Sequence, residues 1–339
     1  MPRRPATARS TDSVTLEDVA KLAGVSPMTV SRVLNKPELV TPDTLERVKQ
    51  VIDRTGYVPN LLAGGLASRK SRLVAALVPS ITNGIFVEAV QAFTDRLWEA
   101  GYQVLLGLSG YPATREDALL SAVLARKPDA IYLTGINHSP ESRQRLLAAR
   151  VPIVETWDLT PTPLDTVVGF SHEKVGESVA RHLLTKGYRR PALLWADDER
   201  ALVRRRGFLA ELARAGEPEA TTEFIPAPST LALGRAGMAR LLDATPRPDV
   251  VFCASDLLAH GALEEARSRS LTPPKDVAII GFGGLELTAH TCPALSTVAI
   301  DRPAIGRQAA EIILARIAGA TLPEHVIDVG FSILDRQTT

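Results

Sequence analysis

The sequence predicts a small all-α helix-turn-helix head joined to an α/β body of two doubly wound, parallel-sheet lobes. Three observations predict it. Residues Thr15 to Asn35, TLEDVAKLAGVSPMTVSRVLN, carry the punctuation of two short helices separated by a tight turn. From Leu73 onward, apolar runs of strand length alternate with amphipathic stretches of helix length, the pattern of parallel strands buried on both faces. A chain of 339 residues exceeds one ordinary core, and the strand candidates are numerous enough for two similar lobes.

In the head, Thr15 can cap a first helix, with Asp18 in the acidic slot of a capping box. Leu16, Val19, Ala20 and Ala23 recur at helical spacing, and Gly24 supplies the left-handed residue that ends the helix. Ser26 can cap a second helix with Pro27 at its first position, where a missing N–H costs nothing. Val30, Val33 and Leu34 turn inward and leave Pro27, Met28, Thr29, Ser31, Arg32 and Asn35 outward. That outer face is short, polar and cationic, as a helix reading base edges in a major groove needs to be. The alternative is a small helical hairpin belonging to some other domain. A third helix follows, capped by Thr41, begun by Pro42 and ended by Gly56, with Leu45, Val48, Val51 and Ile52 on its buried face.

The segment Tyr57–Arg72, YVPNLLAGGLASRKSR, has a helical pattern from Leu61 to Ala67 that Asn60 can cap. Gly64 and Gly65 sit inside it and cost about 2 kcal/mol relative to alanines. Such a segment is expected to be disordered alone and helical only when docked; a plain linker is the competing reading. In the body, strands are expected at Leu73–Val78, Gln103–Leu108, Ala130–Leu133, Ile153–Glu155 and Val167–Gly169. A second set is expected at Ala192–Ala196, Glu223–Pro226, Val250–Ala254 and Val277–Gly281. Helices such as Ile85–Ala100 and Glu173–Lys186 separate them, and Pro303–Ala318 is a late helix followed by strands Val326–Val329 and Ser332–Leu334. The expected divisions are a head over 14–59, a hinge over 60–72 and a body over 73–339. Lobe 1 would take about 73–170 plus 301–320, and lobe 2 about 171–300 plus 321–339.

Charge is divided unevenly. Residues 1–72 hold 12 Lys/Arg against 7 Asp/Glu, whereas residues 73–339 hold 27 against 31. The overall balance of +1 therefore hides a basic N-terminal region, which attracts phosphates, on a mildly acidic body. Cys253 and Cys292 show no metal-ligand spacing and read as free thiols in a reducing compartment. No apolar run approaches a membrane span, and the basic N-terminus lacks the apolar core of a secretion signal, so a cytoplasmic protein is expected.

Catalytic patterns are not found. GFGGLE (Gly281–Glu286) lacks the spacing of a dinucleotide loop, and there is no phosphate-binding P-loop, nucleophile elbow or HExxH. His172, at a helix start beside Glu173, reads as structural. No enzyme activity, cofactor or metal is expected. Polar and aromatic residues gather instead at the ends of the strands, where two doubly wound lobes share a cleft. They are Asn83, Phe86, Ser109, Tyr111, Glu155, Trp157 and Asp158 in the first lobe, and Arg200, Arg204, Ser255 and Asp256 in the second. Arg200 and Arg204 lie one helical turn apart, and arginine binds carboxylates through paired hydrogen bonds. An aromatic ring such as Trp157 can lie on a sugar's C–H face. Each residue singly could be a surface charge or packed ring; the set favours a polar, anionic small molecule.

VTLEDVAKLAGVSPMTVSRVLN followed by GYVPNLLAGGLAS and this body resembles the lactose/galactose-repressor family of transcription regulators, from about Val14 to Asp335. The resemblance implies a periplasmic-binding-protein-like body and a homodimer on a palindromic operator. It implies that Thr15, Ser26, Thr29, Ser31 and Asn35 hold phosphates and that Pro27, Met28 and Arg32 read bases. Asn60 belongs to the same DNA-contacting set, and Leu66 matches a hinge leucine that wedges into the minor groove, as apolar wedges do. Within the family, VPSITNGIFVEAV, the GY of LSGYPATRE, the VE of VPIVETWD, VGF (Val168–Phe170), DER (Asp198–Arg200) and VFCASDLLAHGA resemble the gluconate-operon repressors. That subgroup implies gluconate, a ketogluconate or idonate as effector, with Arg204 matching the family's sugar-binding arginine. Ser255 stands where many members have Asn, and Gly283 where sugar-binding members often carry Asp, so hydroxyl recognition departs from theirs. No leucine heptad of the kind that forms tetramers is visible in the tail.

The expected function is a transcriptional repressor of sugar-acid catabolism, released from its operator by the sugar acid. A soluble sugar-binding or transport receptor is the alternative, opposed by the missing signal peptide and the basic head. A ligand-independent architectural DNA binder is a third reading.

Overall fold

The computed structural model describes residues 14–58, 70–82, 84–110 and 113–339 of the protein. The chain divides into two compact units between Ser71 and Arg72.

In the first unit, helices α1 (Leu16–Ala23), α2 (Pro27–Asn35) and α3 (Pro42–Thr55) enclose a core of Val19, Ala20, Ala23, Val30, Val33, Val48, Val51 and Tyr57. The capping box forms: Asp18 N–H donates to Thr15 Oγ1 at 3.2 Å, and Thr15 N–H donates to Asp18 Oδ2 at 2.9 Å. Gly24 takes φ +64°, a left-handed conformation that a side chain would strain, and this turns the chain into α2. Ser26 caps α2 by accepting from Thr29 N–H. Thr41 stands at the expected cap of α3 but does not cap it with its side chain. Its hydroxyl donates instead to Thr44 Oγ1 at 3.0 Å, and Pro42, lacking an N–H, removes one of the orphan donors.

The second unit holds two six-stranded sheets. The first contains β1 (Leu73–Val78), β2 (Gln103–Leu108), β3 (Ala130–Thr134), β4 (Ile153–Thr156), β5 (Thr166–Gly169) and β11 (Val326–Asp328), in the order β11-β5-β4-β3-β1-β2. All its neighbours pair in parallel. The second contains β6 (Pro191–Ala196), β7 (Thr221–Ile225), β8 (Val250–Cys253), β9 (Ala278–Gly283), β10 (Ser296–Ala299) and β12 (Ser332–Leu334), in the order β12-β10-β9-β8-β6-β7. Only β12 runs antiparallel among these described strands.

Helices α4 (Val87–Glu99) and α11 (Arg302–Ile317) pack on one face of the first sheet through Phe93, Leu97, Ile305 and Ile313. Helices α5 (Ala113–Leu124) and α6 (Pro140–Ala149) cover the other through Leu120, Val123 and Leu146. Helix α7 (His172–Thr185) pairs with α8 (Glu199–Arg214), and α9 (Leu231–Asp243) with α10 (Asp256–Ser268), over the second sheet.

The chain crosses between lobes at Phe170–Ser171, at Ile300–Asp301 and at Val329–Phe331. One expected division is corrected here. Residues 321–339 are expected in lobe 2, but Val326–Asp328 pairs with Val167–Gly169 in lobe 1, and the third crossing follows it. Hydrogen bonding decides this: β5 has an open edge after β4, and β11 fills it. Strand β10 had no counterpart in the sequence reading, because STVA is short and carries little apolar signal.

Candidate ligand cleft and nucleic-acid interface

Two adjoining chambers open where the strands of both sheets end, the position that doubly wound sheets reserve for ligands. The smaller, about 50 Å³, is lined by Phe86, Trp157, His172, Arg200, Arg204 and Ser255 among others. The larger, about 310 Å³, includes Ser109, Glu116, Asn137, Asp158 and Asp197. Asp198 and Arg200 belong to both.

Arg204 is the chemical centre of the smaller chamber. It is 4% exposed, and its guanidinium lies 3.8 Å from the ring centre of Phe282. One Nη donates to His172 Nδ1 at 2.9 Å and the other to the Ala254 carbonyl at 3.1 Å. Its Nε is buried without a hydrogen-bond partner, and Arg204 forms no ion pair among the described residues. Burial pulls its pKa down to about 10, with Asp198 opposing and Arg200 adding to the fall, so it stays protonated at neutral pH. An unpaired buried cation is costly unless an anion reaches it.

His172 owes its state to these neighbours. Arginine has no acceptor, so Nδ1 must be the bare nitrogen, and Nε2–H donates to the Trp157 carbonyl at 2.8 Å. Burial, then the charges of Arg204 and Arg200, hold this imidazole well below its ordinary range and keep it neutral. His172 is thus a structural residue that also positions the arginine, a role its place at a helix start did not announce. Close packing of α7 on α8 makes the contact possible. A Cβ at Gly176 would run into the Arg204 carbonyl, and one at Gly207 into that of Glu173.

An aromatic wall completes the chamber. Phe86 meets Trp157 edge-on at 5.0 Å, and Phe170 continues the stack to His172 and Phe282. Arg200 lies over Phe86 at 5.4 Å. Phe282, at the end of β9, was not singled out in the sequence, although the GFGG stretch that holds it was.

The structure therefore brings together Phe86, Trp157, Arg200, Arg204 and Ser255, with Ser109 and Asp158 in the larger chamber. Two expected residues do not face it. Glu155 is buried within lobe 1, accepting from Leu164 N–H at 2.6 Å and lying 3.4 Å from His138 Nε2. Strand alternation sends Glu155 to the face opposite Val154, and Trp157 escapes that face because it adopts φ +72°. Asp256 is also turned inward, accepting from Thr297 Oγ1 at 2.6 Å and from Leu285 N–H at 2.7 Å. Burial raises its pKa to about 6 against those hydrogen bonds. Asn83 and Tyr111 lie outside the described residues.

On the head, Pro27, Met28, Arg32 and Asn35 are exposed, with Thr29 and Ser31 partly so. The polar side chains engage one another: Ser26 Oγ with Thr29 Oγ1 at 2.9 Å, and Asn35 Nδ2 with the Ser31 carbonyl at 2.9 Å. Thr15 Oγ1 donates to Asp18 at 2.6 Å. Residues 14–58 carry six basic and six acidic side chains, so the basic excess stands in the flanking segments 1–13 and 59–72. Asn60 and Leu66 lie outside the described residues, as does most of the expected hinge.

A helix-turn-helix head with a two-lobed, cleft-bearing body defines a DNA-binding transcriptional regulator. The family model for bacterial regulatory proteins of the lacI family matches residues 15–60, and that for a periplasmic binding protein-like domain matches 180–339. The chain is 39% identical over 333 residues to the HTH-type transcriptional regulator GntR of Pseudomonas aeruginosa, covering 98% of this chain and 97% of that one. It is 32% identical to GntR of Escherichia coli K12, covering 94% and 96%. A crystal structure of a LacI family regulator from Silicibacter pomeroyi superposes with a TM-score of 0.90 at 34% identity, covering 96% of this chain and 99% of that one. The chain belongs to the lacI family of bacterial regulatory proteins.

Proposed function

We propose that this regulator is a homodimeric repressor of sugar-acid catabolism that a gluconate-like, six-carbon sugar acid releases from a palindromic operator. The observation that carries the effector class is Arg204, a buried guanidinium that has no ion pair among the described residues and whose Nε has no hydrogen-bond partner. A carboxylate supplies both the missing charge and the missing acceptor. The smaller chamber suits that end of the ligand, with Phe86 and Trp157 against the carbon chain and Arg200 and Ser255 beside it. Hydroxyls then extend past Asp198 into the larger chamber, where Ser109 and Asp158 meet them. Ligand bridging the lobes favours one body conformation, and a tenfold change in operator affinity needs a preference of about 1.4 kcal/mol.

On the DNA side, Thr15, Ser26, Thr29, Ser31 and Asn35 would exchange their internal hydrogen bonds for phosphates. Pro27, Met28 and Arg32 would face base edges, with Asn60 and Leu66 acting at the centre of the site.

Calorimetry tests the effector. Gluconate or a ketogluconate should bind, neutral glucose at least about tenfold more weakly, and Arg204→Gln should abolish that difference. Glucose binding as tightly as every sugar acid would refute the anionic ligand while leaving the regulator intact.

A further inference from the structure

The outer face of α2 presents little that can donate to a base. Its hydroxyls bond within the head and its amide donates to the Ser31 carbonyl, all of them groups that the proposed function turns toward phosphates, and Pro27 has no N–H. Arg32 is exposed and makes no ion pair among the described residues, whereas Arg47 pairs with Asp43. One turn before Arg32 stands Met28, 63% exposed, a side chain with no donor and a thioether that accepts only weakly. An apolar side chain beside a free guanidinium and a row of hydroxyls is poorly placed for an apolar protein partner, since docking there would bury the cation. The floor of a major groove offers such a side chain one apolar group, the C5-methyl of thymine.

We propose that Met28, with Pro27 beside it, reads thymine through its methyl group. Each half-site then carries a guanine for Arg32 and a thymine within about two base steps of it, since one helical turn advances about 6 Å. The inference rests on the head's DNA-reading role, which it makes specific. Sequence preference at the Met28 position comes from shape and burial with no hydrogen bond, so it should respond to loss of a single methyl group.

The test uses the full-length protein and palindromic duplexes that it selects from random DNA. Thymines of one half-site are replaced one at a time by deoxyuridine, which removes the methyl and preserves every hydrogen bond. Fluorescence anisotropy should show about a fourfold weakening at one or two positions, the worth of one buried methyl-sized group. In Met28→Ala, which removes an exposed side chain and leaves the core of the head intact, the penalty at one of those positions should vanish. Wild type indifferent to deoxyuridine everywhere, or Met28→Ala retaining every penalty, would overturn the proposal. Failure to select any palindrome would instead strike the operator reading itself.

Discussion

His172 and His138 show how two enclosed imidazoles of one body are driven apart by their neighbours. Burial and the adjoining arginines hold His172 well below the ordinary histidine value of 6.5. For His138 burial pulls the same way, but a hydrogen bond to Glu116 at 2.7 Å and the charges of Glu116 and of Glu155, 3.4 Å away, outweigh it and hold the pKa up to about 9. The consequences for stability have opposite signs. His172 contributes stability that is present above about 6.5 and is lost as pH falls, because the unfolded chain then takes up a proton that the fold refuses. His138 contributes stability that is full below about 6.5 and is lost as pH rises through about 9. Thermal melts should therefore fall more steeply with acid in wild type than in His172→Gln, and more steeply with alkali in wild type than in His138→Gln. Parallel pH profiles for either pair would contradict the corresponding assignment. Neither state is legible from sequence. A histidine's charge depends on side chains 17 to 32 residues away in the chain, which only packing brings together.

At the scale of elements, the pairing of α7 with α8 controls the cleft. Gly176→Ala would force the Arg204 backbone away, at a cost of about 1–3 kcal/mol in stability. Effector affinity should fall with it, because the His172–Arg204 hydrogen bond depends on that separation, while operator affinity without effector stays unchanged. Operator affinity and effector titrations on the same variant check both halves. Elements whose burial is complete were the legible ones: LVAALV and VVFC announce parallel strands because both faces are apolar. Edges were harder, and β7 runs from Thr221 to Ile225, starting two residues before Glu223. Strand ends located the cleft, yet could not say which way a side chain turns. Trp157 enters the cleft through a left-handed backbone that no pattern foretells, and Glu155, two residues earlier, faces away.

At the scale of the molecule, neither lobe is a continuous stretch of chain. Lobe 1 is finished by α11 and β11, and lobe 2 by β12, with Arg302 at the second crossing holding both Glu88 and the Gly283 carbonyl. Two of the three tryptophans report on this separately: Trp157 is buried in lobe 1 and Trp195 in lobe 2. Single-tryptophan variants retaining one or the other should unfold in urea at the same midpoint, and separated midpoints would show that the lobes melt independently. The interleaving also bears on how the protein is made. A ribosome that has passed residue 300 has delivered nearly all of lobe 2 and most of lobe 1, yet the first sheet still lacks a covering helix and its edge strand. Interrupted synthesis therefore yields a body with exposed apolar surface, a ready substrate for proteolysis.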